Sequence, residues 1–357
     1  MMQKYILSLA KKLIAIQSTS KNPKALEEAL NLAISYTKEF PVKRFERNGI
    51  KSVLIHNQNR ATKKFKVILN GHLDVVPGKD YQYKPRIQDG KLYGVGSMDM
   101  KANVACLIAV FNAVARKIAY PLALQLVTDE EIGGFHGTKY QIDKGIRAEF
   151  VIAGETTNFH IAHKAKGILW AKISAKGKTA HGAYPWRGEN AIWNMNVFLN
   201  TLQKTFPVPT EEVWATTVNL SRIETTNQSF NKIPDDCSAS LDIRYIPEDK
   251  DTIQEDITKL LPKGCTIDFL VNESPLFVDK DNMYVQSLKK VAEQITRKKI
   301  ALYGANGSSD ARHFTAVGCN GIEFGPIGGG IGTDNEWVDI QSLNTYYTIL
   351  TTFLSSL

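Results

Sequence analysis

One histidine and a small set of carboxylates stand at the ends of apolar stretches in the first half of this chain, and their types and spacing suit metal chemistry. The stretch 65–74 runs apolar and closes on His72 and Asp74. In extended backbone, residues two apart leave the same face. Neutral imidazole is the commonest protein metal ligand, and Asp74 could hold the other ring nitrogen and orient it. Alone, His-x-Asp reads more readily as a turn with surface residues. Asp99 lies in the turn Gly96-Ser97-Met98-Asp99 before a helical stretch, Glu130 and Glu131 follow the apolar run 122–127, and Glu155 follows 150–153. Each acid alone reads as a helix cap or a solvated turn residue. Together they put one imidazole and four carboxylates at successive strand ends. Clustered carboxylates repel unless something positive sits among them, and mixed His and Asp/Glu ligation suits zinc or a similar divalent ion. Consecutive Glu130 and Glu131 diverge in extended backbone, so one can ligate while the other faces the reacting water.

The elements that must position these residues follow from periodicity. Helical spacing of apolar residues predicts helices over 4–16 and 23–40, and short alternating or apolar runs predict strands over 42–47, 52–56 and 66–70. Asp89-Gly90 and Gly94-Val95-Gly96 mark turns, a helix is predicted over 101–116, and strands over 122–127 and 150–153. Strands alternating with helices predict an α/β layer with a largely parallel sheet, whose ligands gather at the carboxyl ends of its strands. From residue 168 the pattern changes: strands near 168–174, 215–223, 238–245 and 266–271 surround helices over 190–202 and 252–261. Two helices on a four-stranded antiparallel sheet fit that order. The chain then returns near 281 with a helix to about 298.

Composition bounds the answer further. The chain has 357 residues, enough for two domains, and its 43% hydrophobic and 22% charged residues are ordinary for a soluble globular protein. The most apolar run, 104–115, is broken by Asn112 and is too short to span a bilayer. The start, Met1-Met2-Gln3-Lys4-Tyr5, leads into a Lys-rich helix rather than a signal peptide, so a cytoplasmic location and no membrane partner are expected. Cys106, Cys237, Cys265 and Cys319 lie far apart, which predicts reduced thiols rather than a disulfide framework or a zinc ribbon. The net charge of +8 is scattered, with short clusters at Lys63-Lys64 and Arg297-Lys298-Lys299, so no nucleic-acid partner is expected. A mildly positive field favours small anionic substrates.

Four segments, Gly71-His72-Leu73-Asp74, Gly94 to Lys101, Thr128-Asp129-Glu130-Glu131 and Gly154-Glu155-Thr156-Thr157, resemble in order and spacing the metal motifs of the M20 metallopeptidase family. Three more, around His181 and Tyr184, around Asn231 and Arg244, and Gly307-Ser308-Ser309-Asp310, resemble the substrate-contacting segments of its desuccinylase and deacetylase branch. The resemblance implies two domains: a mostly parallel α/β catalytic domain formed by 1–167 and 279–357, with an α+β, ferredoxin-like lid and dimerisation domain inserted at 168–278. It implies that His72, Asp99 and Glu155 hold a first zinc, with Asp99 bridging to a second ion also held by Glu131. Cobalt or manganese could substitute. It also implies Glu130 as general base, Asp74 behind His72, and His181 on the oxyanion, supplied by the partner subunit of a homodimer. Tyr184, Asn231, Arg244, Gly307 and Ser308 would contact substrate, Arg244 by gripping a carboxylate or else by forming a structural ion pair. The implied substrate is a small N-acyl amino acid, first N-succinyl-diaminopimelate, or alternatively a dipeptide or aminoacylase substrate.

One position departs from the family pattern. Where a histidine four residues before a glutamate completes the second metal site, this chain has Gly332, four residues before Glu336. Three outcomes follow: Asp334 or water replaces the ligand, the site works with one zinc, or the chain has lost turnover and only binds. His56, His136, His160, His163 and His313 are read as packing or hydrogen-bonding residues, with His136 nearest to an exception because it follows Glu131 closely. Ser308-Ser309-Asp310 lacks a nucleophile-elbow context, and Gly328 to Gly332 is not followed by the Lys-Ser/Thr of a phosphate loop.

Overall fold

A computed structural model describes residues 2–37, 39–60 and 62–357. The chain divides into two units: Met1–Lys164, Leu276–Tyr303 and Ser309–Leu357 form the first, and Ala165–Pro275 with Gly304–Ser308 form the second.

A nine-stranded sheet dominates the first unit. Its centre runs Leu122–Val127, Lys64–His72, Arg147–Ala153, Asn320–Glu323, and each neighbouring pair is parallel. The hairpin of Val42–Arg47 and Ile50–His56 adds antiparallel to Leu122–Val127. Its turn residues Asn48 and Gly49 have φ of 52° and 78°, the left-handed pair that a two-residue hairpin loop requires. The sheet is therefore parallel where the acids emerge and antiparallel at its flanks.

Parallel neighbours need crossovers, and the central one is the helix Lys101–Val114, with 12 of its 14 residues buried. A helix that is apolar all round has to be covered on every side, and Met2–Ile14 and Ile340–Ser356 cover it with one-sided faces, Ile6, Leu9 and Leu13 from one and Leu343, Tyr346 and Phe353 from the other. Two glycines set how closely this helix approaches the sheet. A methyl group on Gly71 would lie 2.9 Å from Val104 Cγ2, and one on Gly154 would lie 2.8 Å from Leu107 Cδ1. These are the residues immediately before His72 and Glu155, so the helix presses on the strand ends that deliver both.

The helix predicted over 23–40 is longer than the observed one. Pro23–Ser35 stops at Tyr36, whose N–H caps the last turn, and Phe40 instead packs edge-on against Phe111 with ring centroids 4.9 Å apart. The chain must leave helical geometry there to enter the first strand after Pro41. A small antiparallel sheet, Arg86–Gln88, Lys91–Tyr93, Trp337–Asp339 and Gly328–Gly329, was legible only through its turn Asp89-Gly90. Strands of two or three residues are too short to show a period.

The second unit is a four-stranded antiparallel sheet ordered Thr217–Glu224, Asp236–Tyr245, Gly167–Lys176, Cys265–Glu273. Burial alternates strictly along Gly167–Lys176 and Asp236–Tyr245, so one face is covered. Leu169, Ile173, Leu241 and Ile243 on that face form one core with Phe198 and Ile257 of the helices Ala191–Thr205 and Ile253–Lys259. All four cysteines are free thiols, three of them buried. Among the described residues, no helix is long and apolar enough to cross a membrane.

Candidate metal centre

Strand register brings the sequence-predicted residues to one edge of the first unit. His72 pairs with Val127 and Asn70 with Ala153, so the turns that carry Glu130, Glu131 and Glu155 leave the sheet beside His72. Ligand atoms of His72, Asp99 and Glu131 all lie within 4.8 Å of one another. His72 Nε2 is 2.9 Å from Asp99 Oδ1 and 3.8 Å from Glu155 Oε1.

Each turn is braced from below. Asp74 is fully buried, and its carboxylate accepts from the N–H groups of Glu130 (3.3 Å) and Glu131 (2.9 Å). The nearest Asp74 atom to His72 Nδ1 is the backbone carbonyl at 3.0 Å, with the carboxylate at 3.5 Å. Asp74 thus faces the imidazole with both its carbonyl and its carboxylate, and the carboxylate also holds the glutamate turn. Arg312 Nη2 and His313 Nε2 hold Gly133 O from the other side, at 2.7 and 2.9 Å.

The Asp99 turn has its own anchor. Buried Glu336 accepts from the N–H groups of Gly96 (3.2 Å), Met98 (2.7 Å) and Asp99 (3.1 Å). Asn103 Nδ2 donates to Met98 O, Gly154 O and Thr156 Oγ1, which ties the Asp99 turn to the Glu155 turn. Glu336 came up in the sequence only as a landmark for Gly332, and Asn103 was not singled out. An isolated buried acid or amide leaves no periodic signal.

The electrostatics fit a cation. Burial is the largest influence pushing the carboxyls of Glu130 and Glu155 well above the ordinary range, with Asp99 and other acids adding to it and His72 opposing. Glu131 is pushed up to about 7, again first by burial. His72 is pulled down by its own burial, but the hydrogen bonds to Asp74 and Asp99 outweigh that and raise it well above an ordinary histidine. His72, Asp99 and Glu131, with Glu155 3.8 Å from His72, form a donor set that zinc or a similar divalent ion satisfies. A bound cation offsets both the burial and the mutual repulsion behind these shifts.

The other predicted residues are not in that ligand set. Asp334 is half-exposed and pairs with Lys79, so the structure does not bring it to the cluster. Gly332, with φ of +67°, faces open space. His181, Tyr184, Asn231, Arg244, Gly307 and Ser308 all belong to the second unit. There, Gly182 N donates to Asn231 O at 2.7 Å, which joins the His181 and Asn231 segments. His181 Nδ1 accepts from Ala183 N, and the His181 ring lies 5.7 Å from that of Tyr184. Arg244 forks onto its own neighbour Asp242 at 2.8 and 3.1 Å. His136 Nε2 sits 3.4 Å from Asn48 Nδ2, away from the ligand set.

A parallel α/β sheet with a histidine and carboxylates converging at its carboxyl edge defines a metal-dependent hydrolase of the amidohydrolase and peptidase kind. Residues 68–356 match the model of peptidase family M20/M25/M40, and the chain belongs to that family. The succinyl-diaminopimelate desuccinylase of Rickettsia felis is 27% identical over 311 residues, covering 80% of this chain and 81% of that protein. That of Rickettsia bellii is 26% identical over 311 residues, covering 80% and 79%. Among solved structures, aminopeptidase PepT of Bacillus cereus superposes with a TM-score of 0.80 at 19% identity, covering 99% of this chain and 98% of that one. An M20 metallo-carboxypeptidase of Sulfolobus solfataricus gives 0.76 at 18%, covering 98% of each chain. The Bacillus subtilis YXEP protein, a dinuclear metal-binding M20 peptidase, gives 0.75 at 12%, covering 99% of each. These structural likenesses establish the shared fold.

Proposed function

We propose that this chain hydrolyses the amide bond of an N-acyl amino acid at a zinc centre, with N-succinyl-diaminopimelate as the first substrate to test. The observation that carries the reading is the convergence of His72, Asp99 and Glu131, with Glu155 3.8 Å from His72, beside Glu130. Zinc bound there supplies Lewis acidity and lowers the pKa of water. Glu130 takes the proton of the attacking water and delivers it to the departing amine. His181 from the partner subunit of a homodimer donates to the oxyanion. Arg244 exchanges its fork on Asp242 for the substrate carboxylate, with Asn231, Tyr184, Gly307 and Ser308 contacting the rest.

The dimer reading is supported by the second unit's edge strand Thr217–Glu224, largely exposed, and by Trp193 and Val197 standing out from Ala191–Thr205. A cytoplasmic setting accords with the free thiols. A dipeptide or an aminoacylase substrate is the second reading, in keeping with the likeness to aminopeptidase PepT and the Sulfolobus carboxypeptidase.

Zinc occupancy is one ion per chain in this reading. Gly332 offers no ligand and Asp334 is engaged by Lys79, so a second ion would find only shared carboxylates. Turnover is correspondingly reduced rather than abolished, because His72, Glu155 and Glu130 are all in place. The test is primary-amine release from N-succinyl-diaminopimelate by the zinc-loaded chain beside Gly332→His. Release by both, faster with histidine, supports the substrate and the role of position 332. Silence in both rejects the substrate and turns attention to peptides, or to a chain that binds without turnover.

A further inference from the structure

The connection between the first two helices, Met2–Ile14 and Pro23–Ser35, meets the chain on both sides of Asp74, and the reading above gives it no task. Ser18 is fully buried; its Oγ donates to Leu73 O at 2.6 Å, and its carbonyl accepts from Val75 N at 3.1 Å. The peptide groups flanking Asp74 are thereby fixed, and Asp74 O stands 3.0 Å from His72 Nδ1. Two residues before Ser18, Ile16 O accepts from Lys101 Nζ at 2.6 Å. Lys101 opens the helix Lys101–Val114, two residues after Asp99. Its stem packs against Gly96, where an added methyl group would lie 2.8 Å from Lys101 Cδ and 2.9 Å from Val75 Cγ1. Gly96 N is one of the donors that Glu336 holds in the Asp99 turn. One short segment therefore grips the His72 strand end with one residue and the Asp99 turn with another.

Lys101 is fully buried, and its Nζ hydrogen-bonds a single backbone carbonyl among the described residues. Burial draws its pKa down to about 7, against the charges of Asp74 and Glu336, the two acids that brace the neighbouring turns. An apolar side chain of similar length would fill such a place at lower cost. We propose that Lys101 and Ser18 are positioning residues of the metal centre, which through the segment Ile16–Ser18 hold His72 and Asp99 in register, 2.9 Å apart. Neither is a ligand; both act through the residues they hold. His72 ends a strand and Asp99 lies in a separate turn 27 residues on, so their spacing depends on what ties the two together. The inference rests on the metal-centre reading above and deepens it.

The test needs no turnover. Zinc affinity is measured for the full chain, wild type beside Lys101→Met, Ser18→Ala and Leu288→Ala, with the Tm of each metal-free form and the visible absorption of each cobalt-loaded form. Lys101→Met keeps the stem and removes the donor. It should weaken zinc binding about 10- to 100-fold and shift the cobalt bands, which report the geometry of the ligands. The sign is diagnostic, because a lysine acting only as a nearby positive charge would repel the ion and its removal would tighten binding. Ser18→Ala should weaken zinc binding by a smaller factor, and decides the matter if Lys101→Met does not fold. Leu288, buried on the helix Met283–Thr296, which carries no candidate ligand, is the control. Leu288→Ala should lower Tm and leave zinc affinity and the cobalt bands as in wild type, which separates positioning from a general loss of stability. Unchanged or tighter zinc binding in a folded Lys101→Met overturns the inference, as does equal weakening in Leu288→Ala. A wild-type chain that takes up no zinc overturns the metal-centre reading and this inference together, whereas zinc uptake that is indifferent to Lys101 and Ser18 overturns the inference alone.

Discussion

In the first unit two of the turns that carry the candidate site residues have backbone N–H groups gripped by a buried acid, Asp74 for Glu130 and Glu131, and Glu336 for Asp99. In the second unit the candidate substrate groups stand on more open ground. Tyr184 is 45% exposed, His181 is held by a local bond to Ala183 N, and Arg244 is occupied by its own neighbour Asp242. The difference separates two tasks. A metal centre needs donors fixed in advance, because partners that orient ligands contribute strongly to affinity. Substrate recognition tolerates groups that exchange partners when the ligand arrives.

The largest effect expected from that division is on chemistry without loss of metal. Glu130→Gln should lower kcat about 10²- to 10⁴-fold with zinc content unchanged, as measured by amine release and elemental analysis. Next, Glu336→Gln should weaken zinc binding by about 10- to 100-fold, although Glu336 touches no ion itself. If Glu336→Gln binds zinc as tightly as wild type, the bracing of the Asp99 turn is not what fixes the site. Third, zinc at a hundredfold excess over its Kd should raise folding stability by about 2.7 kcal/mol, read as a higher Tm that a chelator reverses. His72→Ala should show no such zinc-dependent rise. Fourth, Gly332→His should raise bound zinc from one ion toward two. Its left-handed backbone, φ +67°, should cost about 1–2 kcal/mol in the apo chain. The smallest effect on the metal centre should come from Trp193→Glu, which should shift sedimentation from dimer to monomer and leave zinc affinity unchanged.

The contrast also explains what could be read before the structure. The candidate metal residues could be picked out together because His72, Glu130, Glu131 and Glu155 stand at or just after the ends of apolar strands and Asp99 in the turn before an apolar helix. The alternating strands of the second unit were legible for the same reason, since one covered face imposes a period of two. Glu336 and Asn103 were not, because their importance lies in what distant segments place against them. The partner of Asp334 was hidden too, since Lys79 lies 255 residues away in sequence. The helix ends near 36–40 and 115–116 were overrun because apolar residues there, such as Phe40, continue the core after the helix has ended.

The most direct measurement is a zinc-binding titration of the wild-type chain beside His72→Ala and His181→Ala. The account predicts one tightly held ion in the wild type, lost in His72→Ala and kept in His181→Ala. An ion that survives His72→Ala, or that leaves with His181→Ala, would contradict a metal centre built by the first unit.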